Sequence, residues 1–332
     1  MRKFFALACA ILSFATNVLI GADGSFKVVV LGAHGGPREN NLSSYLLAPT
    51  GGNVFVSLDA GSLLHGIYEA YEKGSFQDIE VSTDGKFNVE ADILRNHIKA
   101  YLISHAHLDH IAGLVINSPK DASKPIFGID PTIDFLRDYV FNWKIWPNFG
   151  SEGEKPLNQY QYQRMRVGER IQIPNTEMSV EPFILNHPGD YASTAFLIQS
   201  GSAYVLYMGD TSPDALESKK QIEMIWRRMI PLIRLNLLKG IFIECSFTDE
   251  QDSETLVGHL NPRYLMDELS QLAEFVDPLH PSLMNCKVIV THIKEALENG
   301  ASSQEIIEAE LSELNSLGIE FIFPEQGGRF EL

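Results

Sequence analysis

From Phe26 onward the chain alternates short β-rich runs with stretches of helical spacing. FKVVVLG, SSYLLAP and NVFVSLDAG have the aliphatic and aromatic density of strands. Residues 92–98 space their apolar positions as a helix does and feed a strand at KAYLIS (99–104). A polar loop and an apolar, helix-like run follow, then a strand at 125–129. The spacing of DPTIDFLRDYVF predicts a helix with Asp130 as N-cap and Pro131 as its first residue. The second half repeats the rhythm. RIQIP, EMSVEPFILNH, STAFLIQ and AYVLYMGD read as strands, 217–238 as a long helix and GIFIE as a strand. The helix NPRYLMDELSQLAEF, the strand KVIVTH, the helix 302–314 and the strand IEFIF close the chain. Helices between strands in both halves predict an α/β fold of two sheets covered by helices. Residues 68–90 carry no pattern that adds to this.

The loop after KAYLIS reads HAHLDH and crowds His105, His107, Asp109 and His110 into six positions. Such groups are poor core material, and a surface turn would employ Gly, Asn or Ser instead. Imidazole nitrogen and carboxylate oxygen are ligands for divalent zinc, manganese or iron. Alternate positions of an extended loop face one way, so His105 and His107 can serve one ion while Asp109 and His110 turn toward another. Three more groups of this kind close predicted strands: His187 ends FILNH, Asp210 ends VLYMGD and His292 ends KVIVTH. Each alone reads as a turn, a helix cap or a buried histidine. Together they point to one site at strand ends, where rigid scaffolds carry chemistry.

The N-terminus and the charge narrow the setting. Arg2 and Lys3 precede a long apolar stretch that ends in Gly21 and Ala22, the pattern of a secretory signal over 1–22. An uncleaved membrane anchor is the rival reading, because the run approaches a bilayer-spanning length. Cleavage near Ala22 leaves 23–332, roughly 310 residues, which suits one large domain without a linker or stable membrane anchor. The periplasm or the medium is then the expected location. A net charge of −17 excludes DNA or RNA as the partner, since polyanion binding rests on Lys and Arg neutralising phosphates. A small anion met by metal ions stays compatible. Cys245 follows GIFIE and Cys286 precedes KVIV; if those strands are parallel neighbours the thiols lie at opposite ends, too far apart to bridge.

Asp59 in SLDAG, the HAHLDH loop, His187, Asp210 and His292 together resemble the metallo-β-lactamase superfamily. The longer signature HAHLDHIAGLVINSP and the segment FNWKIWPNF (141–149) resemble its class II cyclic-nucleotide phosphodiesterases. The resemblance implies an αββα sandwich, with two mixed sheets flanked by helices. It implies two divalent ions, most suitably Zn2+ with Mn2+ or Fe2+ as alternatives. One would be held by His105, His107 and His187, the other by Asp109, His110 and His292, with Asp210 bridging the pair. Asp59 would orient a ligand loop without binding metal; read from sequence alone, a solvent-facing turn residue before Gly61 serves equally well.

The implied reaction is hydrolysis of a small cyclic nucleotide, cyclic AMP or cyclic GMP, to a nucleoside 5′-phosphate. Two ions roughly 3.5 to 4 Å apart can hold a hydroxide and lower the pKa of its parent water. Asp109, His259 and Glu244 are the expected catalytic residues: His259 in VGHLNP protonates the departing 3′-oxygen and Glu244 in ECSF orients it. A plain cap of the helix starting near Asn261 is the other reading of His259. Trp143, Trp146 and Phe149 could form a base pocket, or pack a long loop onto the core. His34, Gly35 and Gly36 are candidates for the site rim, whereas His65, His97 and His280 read as structural. Another phosphodiesterase or an aryl sulfatase on the same fold is the alternative enzyme.

Overall fold

A computed structural model describes residues 25–81, 85–189, 191–284 and 286–332; the signal expected over 1–22 lies outside the described residues. The strands are β1 (Phe26–Gly32), β2 (Ser44–Pro49), β3 (Phe55–Leu58), β4 (Ile98–Leu102), β5 (Lys124–Ile129), β6 (Tyr160–Met165) and β7 (Ile171–Gln172). They continue as β8 (Met178–Asn186), β9 (Ala192–Ser200), β10 (Ala203–Met208), β11 (Leu238–Glu244), β12 (Lys287–Thr291), β13 (Glu320–Ile322) and β14 (Arg329–Glu331). The α-helices are α1 (Leu64–Glu72), α2 (Val89–Asp92), α3 (Leu108–Asn117), α4 (Asp130–Phe135), α5 (Gln221–Arg234), α6 (Pro262–Val276) and α7 (Ser303–Leu314).

Two seven-stranded mixed sheets result, ordered β14-β1-β2-β3-β4-β5-β6 and β13-β12-β11-β10-β9-β8-β7. Each inner strand is apolar on both faces because both are covered. On β1, Val28 and Val30 pack between the sheets with Phe196, Val205 and Phe242. Val29 and Leu31 face the other way, against Ile67, Ile111 and Leu114 of the helical layer. On the far side, Ile225, Trp226 and Met229 of α5 and Leu265, Leu269 and Leu272 of α6 cover the second sheet. This period-2 division inside a continuous apolar run is the signature of a strand buried on both faces, and it yields the expected αββα sandwich.

Strand direction positions the site. β3 and β4 are parallel. In the second sheet β8 and β10 both oppose β9, and β10, β11 and β12 run parallel, so four strands end at one edge. Asp59, His105, His187, Asp210, Glu244 and His292 all lie at or just beyond such ends. Cys245 and Cys286 flank opposite ends of the parallel pair β11–β12 and are buried free thiols, as expected.

Several elements differ from the sequence reading. α1, β6 and β14 were not legible: α1 buries only Gly66, Ile67 and Ala70, β6 exposes its polar positions as an edge strand, and β14 has three residues. The helix expected at 92–98 starts at Val89, capped by Asn88, and ends in a widened π-type turn over 93–97. Asp130 is inside the first turn of α4 with Ile129 in the cap position, and its carboxylate pairs with Arg164 at 3.0 Å. The long helix is shorter than 217–238, ending at Arg234 before Asn236 takes φ 55°. Among the described residues no helix is long and apolar enough to cross a membrane.

Candidate active site

The crowded loop closes over the sandwich edge as the N-terminal turn of α3. His107 is the N-cap residue of that helix, and Asp109 stands in its first turn. His105 is fully buried behind them. Its Nε2 lies 3.0 Å from Nδ1 of His107, which is 3.3 Å from Nε2 of His187. Asp210 faces this trio, with Oδ2 at 3.6 Å from His105 and 3.9 Å from His187. Across the same carboxylate, Oδ1 is 3.3 Å from Nε2 of His110 and Oδ2 is 3.2 Å from Nε2 of His292. Asp109 Oδ2 completes the second group at 3.1 Å from His292. Two groups that could each hold a metal ion thus share Asp210, His105, His107 and His187 on one side and Asp109, His110 and His292 on the other; Glu244, His259 and His292 form a third such group beside them.

The outer nitrogens show why these side chains fit a cation. Nδ1 of His187 donates to the Gly258 carbonyl at 2.9 Å, and Nδ1 of His110 donates to Asp59 Oδ2 at 2.7 Å. In a neutral ring the other nitrogen is then an acceptor, and both rings turn it inward. His110 Nε2, buried, finds no hydrogen-bond donor and faces a carboxylate oxygen, itself an acceptor. A divalent ion held by these residues would satisfy both. The electrostatics agree. Burial holds His105 well below the usual imidazole range, lowers His107 and brings His187 down to about 4, so these rings stay neutral and able to accept a cation. Burial works the same way on His110, yet the Asp210, Asp59 and Asp109 charges outweigh it and raise its pKa. The pocket calls for positive charge.

Asp59 is a buried support rather than a turn residue in water. It is 0 % exposed, adopts φ 54°, and accepts from the Ser104 amide and hydroxyl, the Tyr207 hydroxyl and His110, each at 2.7 Å. The second support was invisible in sequence. Ser246 Oγ donates to Glu244 Oε2 at 2.6 Å and stands 2.9 Å from His292 Nδ1 and 3.2 Å from His259 Nδ1. Because its single proton goes to Glu244, the hydroxyl accepts from His292 Nδ1, which leaves His292 Nε2 as the inward lone pair. Gly35 matters for space: a Cβ there would come within 2.3 Å of the His292 ring.

His259 forms a dyad with Glu244, Nδ1 to Oε1 at 2.9 Å, and lies 3.8 Å from Asp210. It caps no helix; the N-cap of α6 is Asn261, which accepts from the Tyr264 amide. Burial alone would lower the His259 pKa, but the charge and hydrogen bond of Glu244 raise it.

The model of the class-II cAMP phosphodiesterases matches residues 24–327. The chain belongs to that family. In class it is therefore a cyclic-nucleotide phosphodiesterase, as the HAHLDHIAGLVINSP resemblance implied. It is similar to a 3′,5′-cyclic-nucleotide phosphodiesterase of Aliivibrio fischeri, 41% identical over 306 residues that cover 92% of each chain. It is also similar to one of Schizosaccharomyces pombe, 31% identical over 326 residues and 91% of each chain. The solved structure of unliganded yeast PDE1 superposes with a TM-score of 0.81 at 26% identity, over 92% of this chain and 99% of that one.

In this phosphodiesterase Trp143, Trp146 and Phe149, read as either a base pocket or the packing of a long loop, make the contacts of loop packing. Trp146 donates to Ser118 Oγ at 3.0 Å, one residue past α3, whereas the cluster sits at the other end of that helix, about 15 Å away. Trp143 donates to the Glu154 carbonyl at 2.9 Å, and Phe149 packs on Phe141. Trp146 and Phe149 fasten the long loop to the core of the first sheet, and Trp143 braces the loop from within. His34 stands near His292 as a rim residue, paired with Glu295 at 2.8 Å. His97 is a satisfied buried ring, and His65 and His280 lie apart from the cluster.

Proposed function

We propose that the protein hydrolyses 3′,5′-cyclic nucleotides, cyclic AMP foremost, to nucleoside 5′-phosphates at a dinuclear centre. The observation that carries this reading is the position of Asp210, within 4 Å of ligands from both histidine groups. Two divalent ions, most suitably Zn2+, would supply Lewis acidity toward the phosphoryl oxygens and a water of lowered pKa. His105, His107 and His187 would hold one and Asp109, His110 and His292 the other. The rest falls to the chain's own side chains. Glu244 fixes Nδ1 of His259, so Nε2 is the nitrogen free to give a proton. Water attacks phosphorus, the P–O3′ bond breaks, and the departing oxygen takes that proton. Asp59 and Ser246 keep the rings oriented.

The zinc-reconstituted mature protein, incubated with cyclic AMP and cyclic GMP, should release 5′-phosphates; a 3′-phosphate product would refute the proposed bond cleavage. The basic start and apolar run of the first 22 residues support a periplasmic or secreted site of action. Fractionated cells should hold the activity outside the cytosol, and its recovery there alone would reject the location.

A further inference from the structure

We propose that the cavity bounded by Phe247 and Lys294 receives the nucleobase of the cyclic nucleotide, with the Phe247 ring as its stacking face; this rests on the function proposed above. A base joined through one ribose to a phosphate on the cluster must lie directly beside it, so the rings bordering the cluster are the candidates.

Tyr191 is one, but both its faces are taken. It stacks on His107 with centroids 4.7 Å apart and on Phe135 at 5.0 Å, nearly parallel to the latter. Phe247 is differently placed. Its ring meets His259 edge-on at 5.8 Å and 74°, is half-buried, and lines a cavity of about 690 Å³. That volume falls within the roughly 300–1,000 Å³ of small-molecule sites.

The remaining walls suit a base edge. Lys294, two residues after His292, holds its ammonium over the Phe247 ring, 5.9 Å from its centre, so an entering base lies between the two or takes the ammonium's place, and its backbone amide donates to the Ser246 carbonyl at 3.0 Å. The cavity is therefore tied to the serine that contacts both His292 and His259. Thr248, Gln251 and Asn299 add hydroxyl and amide groups that both donate and accept, and Glu250, Glu295 and Glu298 add carboxylates that can accept from an exocyclic amine. The Lys294 ammonium suits the ring-nitrogen acceptors of a purine. An aromatic ring bordered by a cation, amides and carboxylates offers a base both a stacking face and partners for its edge.

The test compares cyclic AMP with a base-free substrate that has the same scissile bond, 1-O-methylribose 3′,5′-cyclic phosphate. Phe247→Leu keeps apolar volume and removes the flat ring; Phe247→Trp keeps a ring. The ratio of kcat/KM for cyclic AMP to that for the base-free substrate should fall at least about tenfold in Phe247→Leu, mostly through KM, and recover in Phe247→Trp. An unchanged ratio overturns the assignment, whether both activities persist or both fall together. Failure of the wild-type enzyme on either cyclic phosphate rejects the function itself, a result distinct from a wild type that turns over both and a Phe247→Leu variant with the same ratio.

Discussion

Asp59 Oδ2 lies 2.7 Å from Nδ1 of His110, and neither side chain is more than 1 % exposed. The carboxylate fixes the ring's tautomer from beneath and ties the crowded loop to Tyr207 of the second sheet. Asp59→Asn has one oxygen where four donors converge, so one or more must go unpaired. Such partners typically contribute about ten- to a hundredfold in metal affinity. Competition against a chromophoric chelator should show a loss of that size, and unchanged affinity would remove Asp59 from the support of the site.

Asp210 touches ligands of both groups, so its loss should act twice. Wild-type protein reconstituted with zinc should approach two ions per chain by elemental analysis, and Asp210→Ala should weaken both sites together. His187→Ala should spare the site of Asp109, His110 and His292. A wild type that saturates at one ion would sink the dinuclear scheme.

His259 matters most where the leaving group is poor. A sugar alkoxide needs a proton to depart, whereas a nitrophenolate leaves unaided, and a positioned general acid contributes about a hundred- to ten-thousandfold. His259→Ala should slow cyclic AMP hydrolysis at least about a hundredfold and a nitrophenyl phosphodiester far less, with metal content unchanged. Equal losses on both substrates would mean that His259 binds phosphate or braces its loop.

Glu268, on α6, gives a pH signature independent of the site. Burial, reinforced by the Asp214 charge, pushes its pKa up to about 7, although its Oε1 accepts from the Asp214 amide at 2.7 Å. Between the unfolded value near 4.5 and about 7 the native state holds a proton that the unfolded chain has lost. This group therefore makes stability fall as pH rises through that window, by up to roughly 3 kcal/mol. Glu268→Gln cannot ionise, so its stability relative to wild type should improve from pH 4.5 to 7 and level off above. Denaturant melts across the range decide it; a constant difference refutes the buried acid.

The sequence by itself determined the chemistry and the layers. His105, His107, Asp109 and His110 stand within six residues, so their crowding was legible without a fold. The apolar runs of β1, β10 and β12 announced strands covered on both faces, because burial of both faces leaves no polar alternation. What tertiary structure alone decided was convergence and facing. Ser246 is an ordinary residue in ECSF; only the parallel neighbours β11 and β12 bring it to His292, 46 positions away. Trp143, Trp146 and Phe149 left two readings open, a base pocket or packing of the long loop, because composition carries no direction; the fold gave them loop-packing contacts. Phe247 gave no local signal, since what borders a ring depends on which distant side chains pack around it. Periodicity records whether a residue is buried; which partner meets it follows from strand direction and loop path, and those are set by the packing of the whole chain.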